Sequence, residues 1–220
     1  MHSLADHHAR RWIPPVALLG ITGLAAALRF PGLSSVPPGF HYDEAYEALE
    51  AWRVLTQPGY HPIFFAGNFG VEPMFIYLTS IAFRLFGYTP AVMRGVAALI
   101  GTLTVPAIWA LARELMRTDE RIPAATPWLS AASLALMRWH IMYSRVGIEP
   151  VLVPLFLVLI LWLYWLTLRT GNIWSAVCLG AVTGLAPYTY PAGRLLPFAP
   201  VVVTAIVVLA MHYLLSQTRF

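Results

Sequence analysis

The sequence predicts an all-α integral membrane protein, and its composition and segment pattern support this. Of 220 residues, 59% are hydrophobic and only 11% are charged, whereas soluble domains are about half apolar and about a quarter charged. Long apolar segments follow one another, without the alternating short strands of an outer-membrane barrel. Unpaired backbone groups are not tolerated in lipid, so these segments must be helices. The composition excludes an ordinary soluble enzyme, a disordered chain and a nucleic-acid-binding domain.

Seven apolar segments predict about six to seven transmembrane helices within a single membrane domain over residues 1–220. Their limits are 12–28, 73–86, 92–111, 127–143, 150–168, 173–188 and 195–215. Segment 150–168, at ~1.5 Å per residue, is roughly 28 Å long and can cross the hydrocarbon core. Segment 12–28 fits a cleaved signal peptide or an uncleaved anchor. We expect the anchor, because prolines lie near its start and further spans follow it.

The arginines predict the orientation of the chain, in which all 14 basic residues are arginine. The richer set lies at 10–11, 113–121, 169 and 219, which predicts a multi-pass protein of the plasma or inner membrane with a cytoplasmic N-terminus. Residues 30–72, 145–149 and 188–194 then lie outside. Because loop 30–72 is predicted to lie outside and residues 113–121 inside, the chain should cross the membrane only once between them. Two apolar segments lie there. We expect segment 73–86 to be re-entrant or partly inserted, with full crossing as the alternative.

Residues 41–56 of this first extracytoplasmic loop predict an amphipathic helix, because they lack proline and glycine. Asp43, Glu47 and Glu50 share one face at positions i, i+4 and i+7, while apolar residues such as Trp52 lie on another. Such a helix rests in the membrane interface rather than crossing the bilayer.

Asp43 and Glu44 begin this helix and are the first candidates for chemistry. A helix N-terminus stabilises a carboxylate and keeps it charged. An ionised carboxylate can act as a general base or bind a divalent cation. Aspartate is also a preferred N-cap residue, so a purely structural role for Asp43 remains an alternative.

Two further places carry ionisable groups at the predicted outer side. Glu72 lies at the mouth of an apolar segment, where it is either functional or a solvated interfacial residue. Residues 138–150 contain Arg145, His140 and Glu149 in and beside a predicted span, and charges at such positions favour function. Arg145 either binds phosphate or extends its guanidinium to the lipid headgroups. A single histidine such as His140 is more often a packed polar side chain than a metal ligand. The sequence has no phosphate-cradling glycine loop, so we expect no nucleotide cofactor and a donor supplied from the lipid phase.

The order of the motifs carries a resemblance to a known family. Asp43-Glu44 follows a first span, and then come N-F-G-x-E-P-x-x-x-Y-L (68–78), R-L-F-G (84–87), Arg94, G-T-L-T-V-P (101–106) and W-H-x-x-Y-S-R (139–145). Over residues 13–200 this order resembles the N-terminal part of a GT-C superfamily glycosyltransferase. The similar branch is the dolichyl-phosphate-mannose-protein mannosyltransferase and aminoarabinose-transferase-like family. Relatives have several hundred residues, so we expect a fragment or a minimal module.

The resemblance implies an inverting transfer from a polyprenyl-phosphate-linked sugar to a protein, lipid or glycan acceptor on the extracytoplasmic side. It implies that Asp43 is the base, Glu44 its partner in an acidic pair and Glu149 the second acidic site. Members of the aminoarabinose type have a lysine where this chain has Glu72, so that narrower activity is not expected.

The remaining candidate residues are assigned to substrate binding. They are Tyr46, Glu72, Arg94, Arg145, Tyr190 and Arg194. Displacing a lipid phosphate requires positive charge near the leaving group, which arginines supply. Asp43 and Glu149 are candidate ligands for a divalent cation. A transporter or flippase for a lipid-linked sugar and a non-catalytic membrane scaffold are the alternative functions, although the sequence shows no inverted repeat.

Overall fold

A computed structural model describes residues 4–118 and 121–217, with side chains described over 16–117 and 121–210. Within these ranges the chain is helical and contains no β-strand, as the sequence predicts. The α-helices are α1 (Leu4–Arg29), α2 (Tyr42–Thr56), α3 (Pro73–Phe86), α4 (Pro90–Thr118), α5 (Thr126–Leu136), α6 (Arg138–Tyr143), α7 (Leu152–Thr170), α8 (Ile173–Leu185) and α9 (Ala199–Gln217). Short 3-10 helices cover Glu149–Val151, Ala186–Tyr188 and Pro191–Phe198.

Helix α4 lies at the centre of the bundle, where it packs against α1, α3, α5 and α7. Its buried face includes Ala97 and Ala98, and small residues allow helices in lipid to approach closely. The larger hydrophobic core lies between α2, α3, α4 and α7 and includes Phe75, Met93 and Leu152.

Helix lengths support the predicted class of membrane protein. Three stretches of the described chain are long and apolar enough to cross a bilayer, namely Pro90–Arg117, Glu149–Thr170 and Pro191–Ala210. Shorter apolar stretches cover Val16–Arg29, Pro73–Phe86 and Ile173–Tyr188. These six apolar stretches are consistent with an all-α membrane protein.

The predicted single span over 127–143 is wrong, because the helix is interrupted. Helix α5 ends at Leu136, Met137 adopts an extended conformation (φ −64°, ψ 114°), and α6 begins at Arg138. Since α6 ends at Tyr143, Arg138 and Arg145 do not share a helical face.

A buried arginine from α1, which the sequence analysis did not single out, stabilises this interruption. The Arg29 guanidinium donates to the carbonyl oxygens of Leu134 (3.2 Å) and Ala135 (3.1 Å) and lies 2.9 Å from His140 Nδ1. The last carbonyls of a helix lack intrahelical partners, and Arg29 provides donors for two of them. Helix α1 is therefore part of the packed structure.

Helix α2 covers almost the same residues as the predicted helix 41–56, but its faces have unexpected partners. Glu44, Glu47 and Glu50 are buried against the rest of the protein, while Leu49 and Trp52 are exposed. The acidic face therefore faces the bundle, and the apolar face is available to a membrane interface.

Helix α3 is flanked along the chain by two residues that form ion pairs. Before α3, Glu72 pairs with Arg194; just after it, Arg94 of α4 pairs with Glu44. Helix α3 also packs against α2. Its 14 residues at ~1.5 Å each give about 21 Å, less than the hydrocarbon thickness. Helix α3 is therefore one of the shorter apolar helices of the described chain.

Gly101→Ala is expected to lower the free energy of unfolding by about 1–3 kcal/mol, as overpacking does. A Cβ at Gly101 would lie 2.6 Å from the Cβ of Ser144, and Ser144 also accepts a hydrogen bond from Arg29. Gly95→Ala is the control in the same helix, because its Cβ would meet nothing within 4 Å. Alanine is the better helix former, so the control should be neutral or stabilising by up to about 1 kcal/mol. Thermal unfolding in detergent measures both, and equal shifts would contradict the prediction.

Candidate active site

Three loop regions meet at one end of the bundle and bring the predicted acidic residues together. Asp43 contacts the 65–71 turn through Asn68, Glu44 contacts the 144–148 loop through Gly147, and Glu72 contacts Arg194. On α4 and α7, a second polar cluster joins Glu114 to Arg169 and Arg117. That cluster belongs to the arginine-rich side that the sequence predicts to be cytoplasmic.

An ion pair between Glu44 and Arg94 lies at the centre of the loop cluster, with both side chains 1% exposed. Arg94 Nε donates to Glu44 Oε1 (2.7 Å) and Nη2 donates to Oε2 (2.9 Å). The remaining N–H groups of Arg94 donate to the carbonyl oxygens of Leu33 (3.1 Å), Pro37 (3.0 Å) and Gly39 (2.7 Å). All five donors of the guanidinium are therefore used.

Glu44 is equally well satisfied and remains ionised. Its carboxylate also accepts from the backbone N–H groups of His41 (3.0 Å) and Gly147 (2.8 Å). Burial by itself raises the pKa of Glu44, but the hydrogen bonds from Arg94, Gly147 and His41 outweigh burial and bring the pKa below its usual value. This enclosure does not favour Glu44, predicted to be catalytic, as a group that contacts substrate. It makes Glu44 an anchor for α2, α4 and two loops.

Asp43 is the member of the acidic pair whose side chain reaches the surface, at 39% exposure. Its Oδ1 accepts from Asn68 Nδ2 (2.8 Å), and its Oδ2 lies 3.3 Å from His41 Nδ1. The structural alternative, Asp43 as N-cap, is wrong: the N-cap is His41, whose Nδ1 accepts from the Asp43 N–H and whose N–H donates to Glu44. The Asp43 carboxylate is therefore oriented but accessible.

A tight turn holds the side chain that orients Asp43. Asn68 and Phe69 both adopt positive φ angles, 51° and 63°, which are uncommon for residues other than glycine. Before them, Gly67 packs directly against the ring of Tyr46, since a Cβ at Gly67 would lie 2.5 Å from that ring. Tyr46, predicted to bind substrate, thus supports the turn that positions Asp43.

Glu47 is a candidate that sequence reasoning placed on the acidic face but did not select. It is completely buried, and neither carboxyl oxygen has a well-formed hydrogen bond among the described residues. Burial raises the pKa of Glu47 well above its usual value, and the nearby carboxyl of Glu149 raises the pKa further, as does the charge of Asp43. Glu47 therefore lies close to Glu149, one helical turn after Asp43. The i, i+4 spacing from Asp43 is the signal that could have identified it.

Tyr190 belongs to the same neighbourhood. Burial raises the pKa of its phenol, and the negative charges of Glu149, Glu72 and Asp43 raise the pKa further. These electrostatic effects indicate that Tyr190 lies near the three carboxylates.

The three arginines predicted to bind phosphate have different surroundings. Arg94 is enclosed, as described above. Arg145 donates to backbone carbonyls, including those of Arg29 (2.9 Å) and Pro31 (2.7 Å), and forms no ion pair with Glu149 within the described ranges. Arg194 donates one hydrogen bond to Glu72 (2.7 Å), and its side chain is 60% exposed.

Glu72 is buried at 1% exposure, so the alternative of a solvated interfacial residue is wrong. It orients the accessible guanidinium of Arg194, which also lies over the ring of Phe64. One of its oxygens, Oε2, has no partner among the described residues.

Asp43 and Glu149 are the candidate ligands for a divalent cation. Nowhere in the described ranges do three or more His, Cys, Asp or Glu side chains come together in a way that could hold a metal ion. The predicted cation site at Asp43 and Glu149 would have only these two protein ligands, and Asp43 already accepts from Asn68.

A cavity of about 410 Å³ adjoins Glu149. Apolar and aromatic side chains dominate its wall, with a few polar groups among them. The lining residues are Met137, Trp139, His140, Tyr143, Pro150, Val151, Val153, Pro154, Tyr190 and Ala192.

The chain matches the model of the dolichyl-phosphate-mannose-protein mannosyltransferase family over residues 61–218. It therefore belongs to this family, which confirms the resemblance seen in the sequence. Together with the apolar helices, the family defines a membrane glycosyltransferase of the GT-C type. Asp43 and Glu44 precede the matched residues. No curated protein and no solved structure matches the chain.

Arg94→Gln is expected to lower the free energy of unfolding by about 3–5 kcal/mol, because it leaves the Glu44 carboxylate buried without its ionic partner. Arg117→Gln is the control: Arg117 is 47% exposed and lies 3.6 Å from Glu114, which keeps Arg169. Exposed pairs contribute about 1 kcal/mol or less. Thermal unfolding in detergent measures the two losses, and a similar loss in both variants would argue against Arg94 as an anchor.

The stability of the protein should fall in acid as Glu44 becomes protonated. The folded-state pKa of Glu44 lies below its usual value of 4.5. The stabilisation of the folded state by the ionised Glu44 is therefore complete above pH 4.5 and is lost as the pH falls through the lowered pKa. Thermal unfolding of the wild type and of Glu44→Gln between about pH 6 and pH 3 tests this. The variant should show the weaker acid dependence, and identical dependence would contradict the prediction.

Proposed function

We propose that this chain carries the reaction centre of a glycosyltransferase that moves a sugar from a polyprenyl-phosphate donor to a hydroxyl acceptor outside the cytoplasm. The observation that carries the proposal is Asp43: an accessible carboxylate, held by Asn68, at the end of the bundle that also presents Arg194 and Glu149. This arrangement combines a base with a cation for a leaving phosphate.

Asp43 is the general base of the proposed reaction. It takes the proton of the acceptor hydroxyl while the hydroxyl oxygen forms a bond to the anomeric carbon. The bond from that carbon to the phosphate oxygen breaks, and its electron pair leaves with the polyprenyl phosphate. Because this is a single displacement, the configuration at the anomeric carbon inverts.

Arg194 stabilises the negative charge of the leaving phosphate. Its guanidinium is held by the buried Glu72 through one hydrogen bond of 2.7 Å, so the side chain is oriented while most of it stays accessible. A guanidinium can donate two parallel hydrogen bonds to a phosphate. Glu44, Arg94 and Arg145 position the loops around this reaction centre and do not contact substrate.

The proposed donor reaches the site from the lipid phase, and the acceptor is a protein, lipid or glycan. The cavity beside Glu149 is lined largely by apolar side chains, which suits a lipid-linked substrate. The arginine-rich loops support an N-terminus in the cytoplasm of a cell with the protein in its plasma or inner membrane, and hence an extracytoplasmic site.

Asp43→Asn is expected to reduce transfer by about 10²- to 10⁴-fold, because the amide cannot accept the proton. Asn68→Ala should have a smaller effect, since it removes only the hydrogen bond that orients Asp43. Transfer from radiolabelled polyprenyl-phosphate sugars in proteoliposomes measures both. Arg117→Gln, an exposed position on the predicted cytoplasmic side, is the control. Undiminished transfer in Asp43→Asn would refute the base assignment; lipid translocation without product would favour a flippase.

Arg194→Lys is expected to reduce transfer by roughly ten- to a hundredfold at unchanged thermal stability. Lysine keeps the positive charge but cannot donate two parallel hydrogen bonds to the phosphate. Arg145→Lys should instead lower stability, because lysine cannot reach the several carbonyls that Arg145 contacts. Transfer rate and unfolding temperature are measured for each variant. Normal transfer in Arg194→Lys would exclude a bidentate phosphate contact.

A further inference from the structure

One nitrogen of His140 has a defined hydrogen-bonding role. His140 is 8% exposed, and its Nδ1 lies 2.9 Å from Arg29 Nη2. An arginine guanidinium only donates hydrogen bonds, so Nδ1 must be the acceptor. A neutral imidazole with an accepting Nδ1 carries its hydrogen on Nε2. The contact with Arg29 therefore fixes the tautomer of the ring.

The other nitrogen of His140 is an unexplained donor. Its Nε2 is buried and has no hydrogen-bond partner in the described part of the chain. Most buried polar atoms are hydrogen-bonded, and leaving a buried donor without a partner destabilises the folded state. The interruption at Met137 and the contact with Arg29 hold His140 in this costly position.

The His140 side chain lines the cavity described above, together with Tyr143, Pro150 and Tyr190. Because Nδ1 is turned to Arg29, the opposite edge of the ring carries the unpartnered N–H. The volume of about 410 Å³ lies within the range of small-molecule sites, which combine apolar walls with a few polar groups. Pro150 directly follows Glu149, so the cavity adjoins the proposed reaction centre.

We propose that His140 is a donor-binding residue whose Nε2–H hydrogen-bonds to an oxygen of the sugar-phosphate head of the lipid-linked donor in this cavity. This inference rests on the proposed function, because it adds a residue to the same site. A neutral N–H matches either a phosphate oxygen or a sugar hydroxyl oxygen. Met137 and Trp139, which line the cavity, are exposed apolar side chains, which suits contact with a polyprenyl chain.

Two substitutions separate ligand binding from support of Arg29. In His140→Asn, the amide oxygen lies near the position of Nδ1 and can accept from Arg29, but no N–H reaches the position of Nε2. In His140→Gln, the longer side chain brings an amide N–H to the position of Nε2. If His140 binds the donor, the glutamine variant must bind the lipid-linked donor more tightly than the asparagine variant does. Arg117→Gln, on the predicted cytoplasmic side, is the control.

Binding of undecaprenyl phosphate and of undecaprenyl-phosphate mannose to the purified protein in nanodiscs is measured, together with thermal unfolding. We expect His140→Asn to bind about three- to tenfold more weakly, with His140→Gln and Arg117→Gln closer to the wild type. A loss for both lipids would identify a phosphate oxygen as the acceptor. A loss for the mannose-bearing lipid alone would identify a sugar hydroxyl.

Three results would overturn the inference: wild-type protein that binds neither lipid, an asparagine variant that binds like the wild type, or a glutamine variant as weak as the asparagine variant. The last result would mean that His140 only supports Arg29, and a matching fall in unfolding temperature would accompany it. Normal binding with the expected variant pattern but no sugar transfer would instead refute the proposed function and leave the role of His140 in place.

Discussion

A guanidinium at the edge of an apolar helix bundle needs an acceptor for every N–H group, and this requirement organises the end of the bundle that carries the candidate active site. Arg94 meets it with two bonds to Glu44 and three to backbone carbonyls of the preceding loop. Glu44 in turn accepts from the N–H groups of His41 and Gly147. The pair therefore joins α2, α4 and two loops, and it determines where the neighbouring Asp43 lies.

Two other arginines act on the same principle where helices end. Arg29 donates to the last carbonyls of α5, and Arg145 donates to carbonyls at and after the end of α1. Arginine can serve several carbonyls at once because its donors are spread over a rigid fork, which suits a chain that contains no lysine. Among the three arginines predicted to bind phosphate, only Arg194 combines a single described hydrogen bond with high exposure.

The environments of the acidic residues separate their roles. Glu44 is buried but fully hydrogen-bonded, so its pKa is low and it stays charged. Glu47 is buried without good partners beside Glu149, so its pKa is raised well above the usual value. Asp43 remains partly exposed and oriented by Asn68. Three carboxylic acids at the start of α2 thus have different chemical behaviour, which is typical of sites that handle protons.

The sequence by itself determined the all-α membrane class, the family and the limits of α2 within one residue, because hydropathy, helical periodicity and motif order are local properties of the chain. Only the tertiary structure showed that the span over 127–143 is interrupted, that Glu44 is enclosed, and that Arg29 supports His140. These features depend on contacts between distant residues: Arg29 and His140 are 111 positions apart, and Glu44 and Gly147 are 103 apart. Sequence patterns describe which residues are polar, but the partner of a buried polar group is decided when the helices pack.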